Sequence, residues 1–190
     1  MFDALTVFSN ALYRHTSWRN IISLLLLFAG YFWVFNFSTL PFSNPALISA
    51  GCGEGMLDAR FYYTASEAHQ ALNCYGPTGR AIYRHFLMAD MTFVFIYGAG
   101  FALLLSRLLG SLTNSRWRLL SLLPVGIALA DATENLLIFR LLAVYPDFPA
   151  LLGQIAGYAT LIKSILSAVA VIVLLTCLVT LQRQRIRRRH

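Results

Sequence analysis

The stretch Leu123–Val144 places charged side chains inside an otherwise apolar run. It is long enough to cross a bilayer, because about 20 apolar residues suffice. Its middle nevertheless contains Asp131, Glu134 and Asn135, and their spacing places them on one face of a helix. A carboxylate at membrane depth is energetically costly and normally faces a bundle interior or a wet cavity. The rest of the chain must therefore supply partners, water or a ligand for this face.

The composition is that of a membrane protein. Of the residues, 58% are hydrophobic and 12% are charged, whereas a soluble domain usually has about 25% charged residues. The formal net charge of +7 would suggest a nucleic-acid partner for a soluble protein. Here the basic residues flank apolar spans, where membrane topology explains them better. We therefore expect a single polytopic membrane domain over residues 1–190 and no nucleic-acid partner.

Four apolar spans are predicted, at about residues 20–40, 81–109, 121–144 and 154–181. They predict an all-α integral membrane protein, built as a four-transmembrane-helix bundle. One long loop, residues 41–79, follows the first span. Within it, Thr64 and Glu67 form a capping-box pattern that predicts a short helix over residues 65–73. Because long loops with helix signals are usually functional, we expect a structured extracytoplasmic loop.

The basic residues predict the topology. They gather near the N-terminus, in the loop after the second span and in the tail, residues 182–190. An excess of Lys and Arg marks the cytoplasmic side. Both termini are therefore expected in the cytoplasm and the long loop outside, in a plasma membrane or a bacterial inner membrane.

The cysteines and two glycines suggest specific contacts. Cys52 and Cys74 fall on the outer, oxidising side and are predicted to form a disulfide. Cys177, inside the fourth span, is expected to be a packing residue. Gly153 and Gly157 have a GxxxG spacing, which allows a second helix to approach closely.

Ionisable groups from three spans lie at similar depth. A rise of about 1.5 Å per residue places Asp90, Glu134 and Lys163 roughly 12–15 Å from the outer ends of their helices, with Asp131 about one turn deeper. We predict these four side chains as the catalytic groups. The third and fourth spans are joined by a short loop and are probable neighbours, so we expect Glu134 to pair with Lys163.

Other polar side chains share these faces or lie at the outer mouth. We predict that they bind the ligand, and they are Asn135, Tyr97, Thr160, Ser167, Arg80, Arg84 and His85. The last three could hold a phosphate or carboxylate head group. The alternative for these three is simple interfacial anchoring.

The buried charges allow two interpretations. In the first, Lys163 and one carboxylate form a purely structural pair, as many buried ion pairs do. However, three carboxylates against one lysine leave excess negative charge, which favours a substrate, ion or proton site. We expect a polar pocket that binds or processes a lipid or other small amphiphile, with Asp131 or Glu134 as an acid or base if the protein is an enzyme.

Two alternatives stay open at this point. One is a non-catalytic four-span scaffold, or partner-binding protein, with a structural charge network. The other is a small proton-coupled transporter that works as an oligomer. The expected partners are membrane lipid, a small amphiphilic substrate, and a second copy or another membrane protein. We expect no cofactor and no metal, because the sequence has no GxSxG, HExxH, P-loop or CxxCH motif.

Overall fold

The computed structural model describes residues 7, 9, 11–13, 16–51, 53–112 and 115–187, without the side chains of residues 115 and 116. This part of the chain is helical and contains no strand. Its α-helices are α1 (Trp18–Phe37), α2 (Asn44–Ala50), α3 (Ala65–Leu112), α4 (Leu123–Val144) and α5 (Ala150–Arg187). Short 3-10 helices lie at Leu57–Ala59 and Ser115–Leu122. Four of these elements, α1, α3, α5 and α4 with its preceding turn, are long and apolar enough to span a membrane.

Helix α3 joins two elements that the sequence separates. It runs for 48 residues with a kink at Gly76, whose φ of 62° suits glycine and whose successor is Pro77. The predicted short helix and the second span are therefore the two arms of one bent helix. The capping box at its start is present, because the Glu67 amide donates to Thr64 Oγ1 at 3.2 Å and the Thr64 amide to Glu67 Oε2 at 2.7 Å.

Helix α3 is also the centre of the bundle. It packs against α1, α4 and α5, while α4 and α5 form the most extensive helix pair. Helix α1 rests on α3 and touches α2, but it has little contact with α5 within the described chain. A gap is therefore left between α1 and α5.

The long loop belongs to the hydrophobic core. Leu47, Leu57 and Tyr63 are completely buried and pack with α3 and α4 at what we call the loop end of the bundle. Tyr75 of α3 also donates its hydroxyl to the Gly55 carbonyl at 2.6 Å. At the opposite end, a smaller core cluster contains Cys177, which is 5% exposed. The predicted packing role of Cys177 is thus confirmed.

Gly157 of the GxxxG pair receives the loop backbone, whereas Gly153 faces the Phe148 ring and the start of α3. A Cβ added to Gly157 would lie 1.9 Å from the Tyr63 carbonyl oxygen. A Cβ on Gly153 would lie 2.7 Å from the Phe148 ring and 3.3 Å from the Cα atom of Ala65, the first residue of α3. The expected close approach exists, but at Gly157 it is made by the loop backbone. This contact fixes the loop on α5.

The predicted disulfide stays a prediction, since Cys52 lies outside the described residues. Its neighbour Gly51 lies against α3, where an added Cβ would be 3.3 Å from the Cα atom of Tyr75 and 3.5 Å from the Cys74 carbonyl oxygen. The chain on one side of Cys52 therefore runs next to Cys74.

Gly157→Ala should displace the loop, because the new methyl group meets backbone that cannot rotate away. Overpacking of this kind costs about 1–3 kcal/mol. Limited proteolysis and thermal unfolding in detergent should show a lower melting temperature and new cleavage within residues 53–64. The matched control is Gly30→Ala on α1, where an added Cβ meets nothing within 4 Å. Equal protease resistance of the two variants would contradict the contact.

Candidate functional site

Lys163 is the centre of the polar cluster. Its Nζ atom, on α5, lies 3.0 Å from Asp131 Oδ1 and 2.5 Å from Glu134 Oε2, and donates to the backbone oxygen of Asp58 at 2.9 Å. The ammonium group thus donates two hydrogen bonds and forms an ion pair with Glu134, whose Oε2 atom has no hydrogen-bond partner among the described residues. The predicted pairing with Glu134 is present, and Asp131 shares the lysine.

The two carboxylates have further donors from neighbouring helices. Glu134 is completely buried and accepts a hydrogen bond from Thr160, which lies one turn before Lys163 on α5. Asp131 accepts a hydrogen bond from the Tyr97 hydroxyl of α3 at 2.8 Å. The predicted residues Tyr97 and Thr160 therefore belong to the cluster, which joins α3, α4 and α5.

Asp90 and Asn135 form a separate pair beside it. The amide nitrogen of Asn135 donates to Asp90 Oδ2 at 2.6 Å, and both residues are buried. The amide oxygen of Asn135 has no hydrogen-bond partner among the described residues. Because no described ion pair links Asp90 to Lys163, the lysine contacts two of the three predicted carboxylates and not all three.

Asp58, which sequence reasoning missed, is a fourth carboxylate at the site. The Tyr83 hydroxyl accepts the backbone N–H groups of Leu57 and Asp58 and donates to Asp58 Oδ1 at 2.5 Å. Burial raises the pKa of Asp58, while the charge of Lys163 and the bond from Tyr83 act in the opposite direction. The sequence gives no signal for this role, because Asp58 lies between Glu54 and Arg60 in a loop of balanced charge.

The basic residues predicted at the outer mouth do not reach this cluster. The guanidinium carbon of Arg80 lies 3.8 Å from the centre of the Tyr145 ring, and Arg80 donates to the Leu72 carbonyl at 2.9 Å. Arg84 donates to the Leu142 carbonyl near the end of α4, a favourable place for a cation. His85 is exposed. These contacts fit the anchoring alternative.

A cleft of about 630 Å³ gives access to the cluster through the gap between α1 and α5. Asp131 and Lys163 lie on its floor, and residues 58–61 of the loop close one end. Ser167 also lines it, as predicted for a ligand-binding residue. The remaining lining is largely aromatic or small, and comprises Phe28, Phe32, Phe93, Tyr97, Ile127, Ser164 and Ala168.

A narrower apolar pocket of about 160 Å³ continues from the cleft. The two share Tyr97, Ile127 and Ser167, and the pocket extends to Leu105 and Leu174 at the end away from the loop. The lining of the cleft contains charged groups, whereas the lining of the pocket is apolar apart from Tyr97 and Ser167.

The described residues offer no group of three His, Cys, Asp or Glu side chains that could hold a metal ion. No protein-family model, curated protein or solved structure matches this chain. The function therefore has to be argued from the geometry of the cluster and the cleft.

Lys163→Met should strongly destabilise the protein, because it leaves two carboxylates without their cation. Breaking a buried pair in this way costs roughly 3–5 kcal/mol. In that background Glu134→Gln should restore more stability than Asp131→Asn, since the side chain of Glu134 is 0% exposed and that of Asp131 is 11% exposed.

Denaturant unfolding in detergent measures these differences. Arg140→Met is the matched control, because Arg140 is exposed on the opposite side of α4. If Lys163→Met lowers the free energy of unfolding no more than Arg140→Met does, the lysine does not hold the cluster together.

Proposed function

We propose that this protein is an integral membrane protein that binds a lipid or other small amphiphile in the cleft between α1 and α5. One observation carries the proposal. The cleft opens sideways between two helices that are long and apolar enough to span a membrane, and it has an ion pair at its floor. A molecule dissolved in the bilayer could enter such an opening without crossing water.

The residues that line the cleft and the neighbouring apolar pocket suit an amphiphile. The charged part of the cleft, at Asp131 and Lys163, suits a polar head group. The apolar continuation toward Leu105 and Leu174 suits a hydrocarbon chain. Ligand sites are usually largely apolar, with a few polar groups that fix orientation.

The geometry separates the roles of the two acidic residues on α4. Asp131 lines the cleft and could contact a bound molecule directly, so it is the candidate general acid or base of any reaction there. Glu134 is completely buried and does not line the cleft. It therefore acts as a positioning residue, through Lys163 and Thr160.

A second candidate function is a non-catalytic scaffold with a structural charge network. The observation that favours it is that the Lys163 ammonium contacts two carboxylates and a backbone carbonyl within the protein. A buried ion pair can serve structure alone. Under this alternative, variants that keep the fold but fill the cleft should lose no function.

The orientation in the membrane belongs to the same proposal. The basic tail and the basic loop between α3 and α4 favour cytoplasmic termini, with the loop end outside, in a plasma or bacterial inner membrane. A disulfide between Cys52 and Cys74 would then be on the oxidising side. The Gly51 contact near Cys74 supports that pairing.

Ala168→Trp should block amphiphile binding, because Ala168 lines the cleft and a large ring there fills the gap beside α1. A photoactivatable, radiolabelled hexadecanol should label the native protein within α1 and α5. It should label the variant at least about tenfold less. Ile165→Trp is the matched control, since Ile165 is 49% exposed and lines none of the described pockets. Equal labelling of Ala168→Trp and the native protein would reject binding in the cleft.

A reporter enzyme that is active only outside the cytoplasm should work when inserted after Gly53 and fail at the C-terminus. The physical reason is the retention of the arginine-rich tail on the cytoplasmic side. The measurement is reporter activity in intact cells, normalised to expression of each fusion. The reverse pattern would overturn the proposed orientation, while leaving the cleft itself unaffected.

A further inference from the structure

Both cations that line the cleft, Lys163 and Arg60, already have acidic partners. Lys163 donates to Asp131 and to the Asp58 backbone oxygen, and its Nζ atom forms an ion pair with Glu134. Arg60, at the mouth of the cleft, is paired with Glu54. An anionic head group would thus approach an ammonium that already contacts three oxygens, and it would meet the negative charge of Asp131.

Acceptor capacity is available at two carboxylates. An ionised carboxylate has about four lone-pair sites. Asp131 uses one oxygen for Lys163 and the other for Tyr97. Asp58 accepts from Tyr83 through Oδ1, and no described residue donates to Oδ2. Both residues line the cleft, so a donor placed there would find partners.

The charge balance also favours a cation. Asp131 and Glu134 share the single positive charge of Lys163, which leaves an excess of one negative charge when both are ionised. Asp58 adds to this excess whenever it is ionised. Unbalanced charge inside a membrane is costly, and a bound positive charge would relieve it.

Aromatic rings form much of the remaining lining of the cleft. Phe28 of α1 stacks on Phe93 of α3 with the ring centres 5.4 Å apart, and Phe93 meets Tyr97 at 5.3 Å. Phe32 and Phe61 complete the aromatic lining. Cations are attracted to the faces of aromatic rings, most strongly where water is excluded.

We propose that the head group bound in this cleft is a primary ammonium, on a molecule with a hydrocarbon tail. This inference rests on the proposed function of the cleft as an amphiphile site. The ammonium donates hydrogen bonds to Asp131 and Asp58, balances their charge and contacts the aromatic rings, while the tail follows the apolar pocket. The phosphate or carboxylate head group that the sequence suggested is disfavoured, because Arg80, Arg84 and His85 do not line the cleft.

The test is competition against the photoactivatable hexadecanol, with the full-length protein in phosphatidylcholine nanodiscs at neutral pH. The three competitors share one tail and differ in head group: dodecylamine, which is protonated at this pH, dodecanol and dodecyl phosphate. Empty nanodiscs report how each competitor partitions into the lipid, so that the comparison uses concentrations in the bilayer. Dodecylamine should compete at least about tenfold better than dodecanol, and dodecyl phosphate should compete least.

Asp58→Asn tests the source of the preference. The amide oxygen can still accept the Tyr83 hydroxyl, so the loop keeps its anchor while the cleft loses one carboxylate. The preference of the Asp58→Asn variant for dodecylamine over dodecanol should be about tenfold lower than that of the native protein. This is the scale expected for a close charge pair at a binding surface. Asp147→Asn is the control of equal charge change, at an exposed turn residue, and should keep the native preference.

The outcomes separate the two proposals. If hexadecanol does not label the cleft, the proposed function fails, and the ammonium inference that rests on it fails too. If labelling occurs but the three competitors are equivalent, or dodecyl phosphate is the best, amphiphile binding stands and the ammonium preference is overturned. An unchanged preference in Asp58→Asn would remove Asp58 from the head-group site, and with it this account of the selectivity.

Discussion

The structure depends on one ammonium group. Lys163 binds two carboxylates of α4 and one backbone carbonyl of the loop, and so ties α5 to both. A charged side chain inside a membrane bundle is tolerated only with such partners. Because the ammonium is held by these three oxygens, the lysine is a structural centre, and the carboxylates beside it are the groups that can contact a ligand.

The loop takes part in this centre because α5 leaves room for it. Gly157 lacks the Cβ that would strike the Tyr63 carbonyl, so the loop backbone lies directly on the helix. That position brings the turn Leu57–Ala59 over Lys163. There the Tyr83 hydroxyl accepts the backbone N–H groups of Leu57 and Asp58 and donates to the Asp58 carboxylate. The loop thus acts as the end wall of the cleft and not as a mobile connection.

The incomplete packing of α1 has the main functional consequence. Since α1 rests on α3 and scarcely touches α5, a sideways opening remains where a closed bundle would have none. Its lining combines aromatic rings with Asp131, Asp58 and Lys163. The alkyl ammonium that we propose as its ligand would complement this combination of apolar and acidic groups.

The sequence by itself determined the number of spans and the polar face of α4. Both depend on local properties, namely apolar length and the spacing of Asp131, Glu134 and Asn135. It also predicted the Lys163–Glu134 pair, because sequential helices are neighbours. Only the tertiary structure placed Asp58 in the cluster, directed Arg80 and Arg84 to Tyr145 and a helix end, and opened the cleft. A loop has no periodicity from which its path can be read, and the gap beside α1 depends on contacts between residues far apart in the chain.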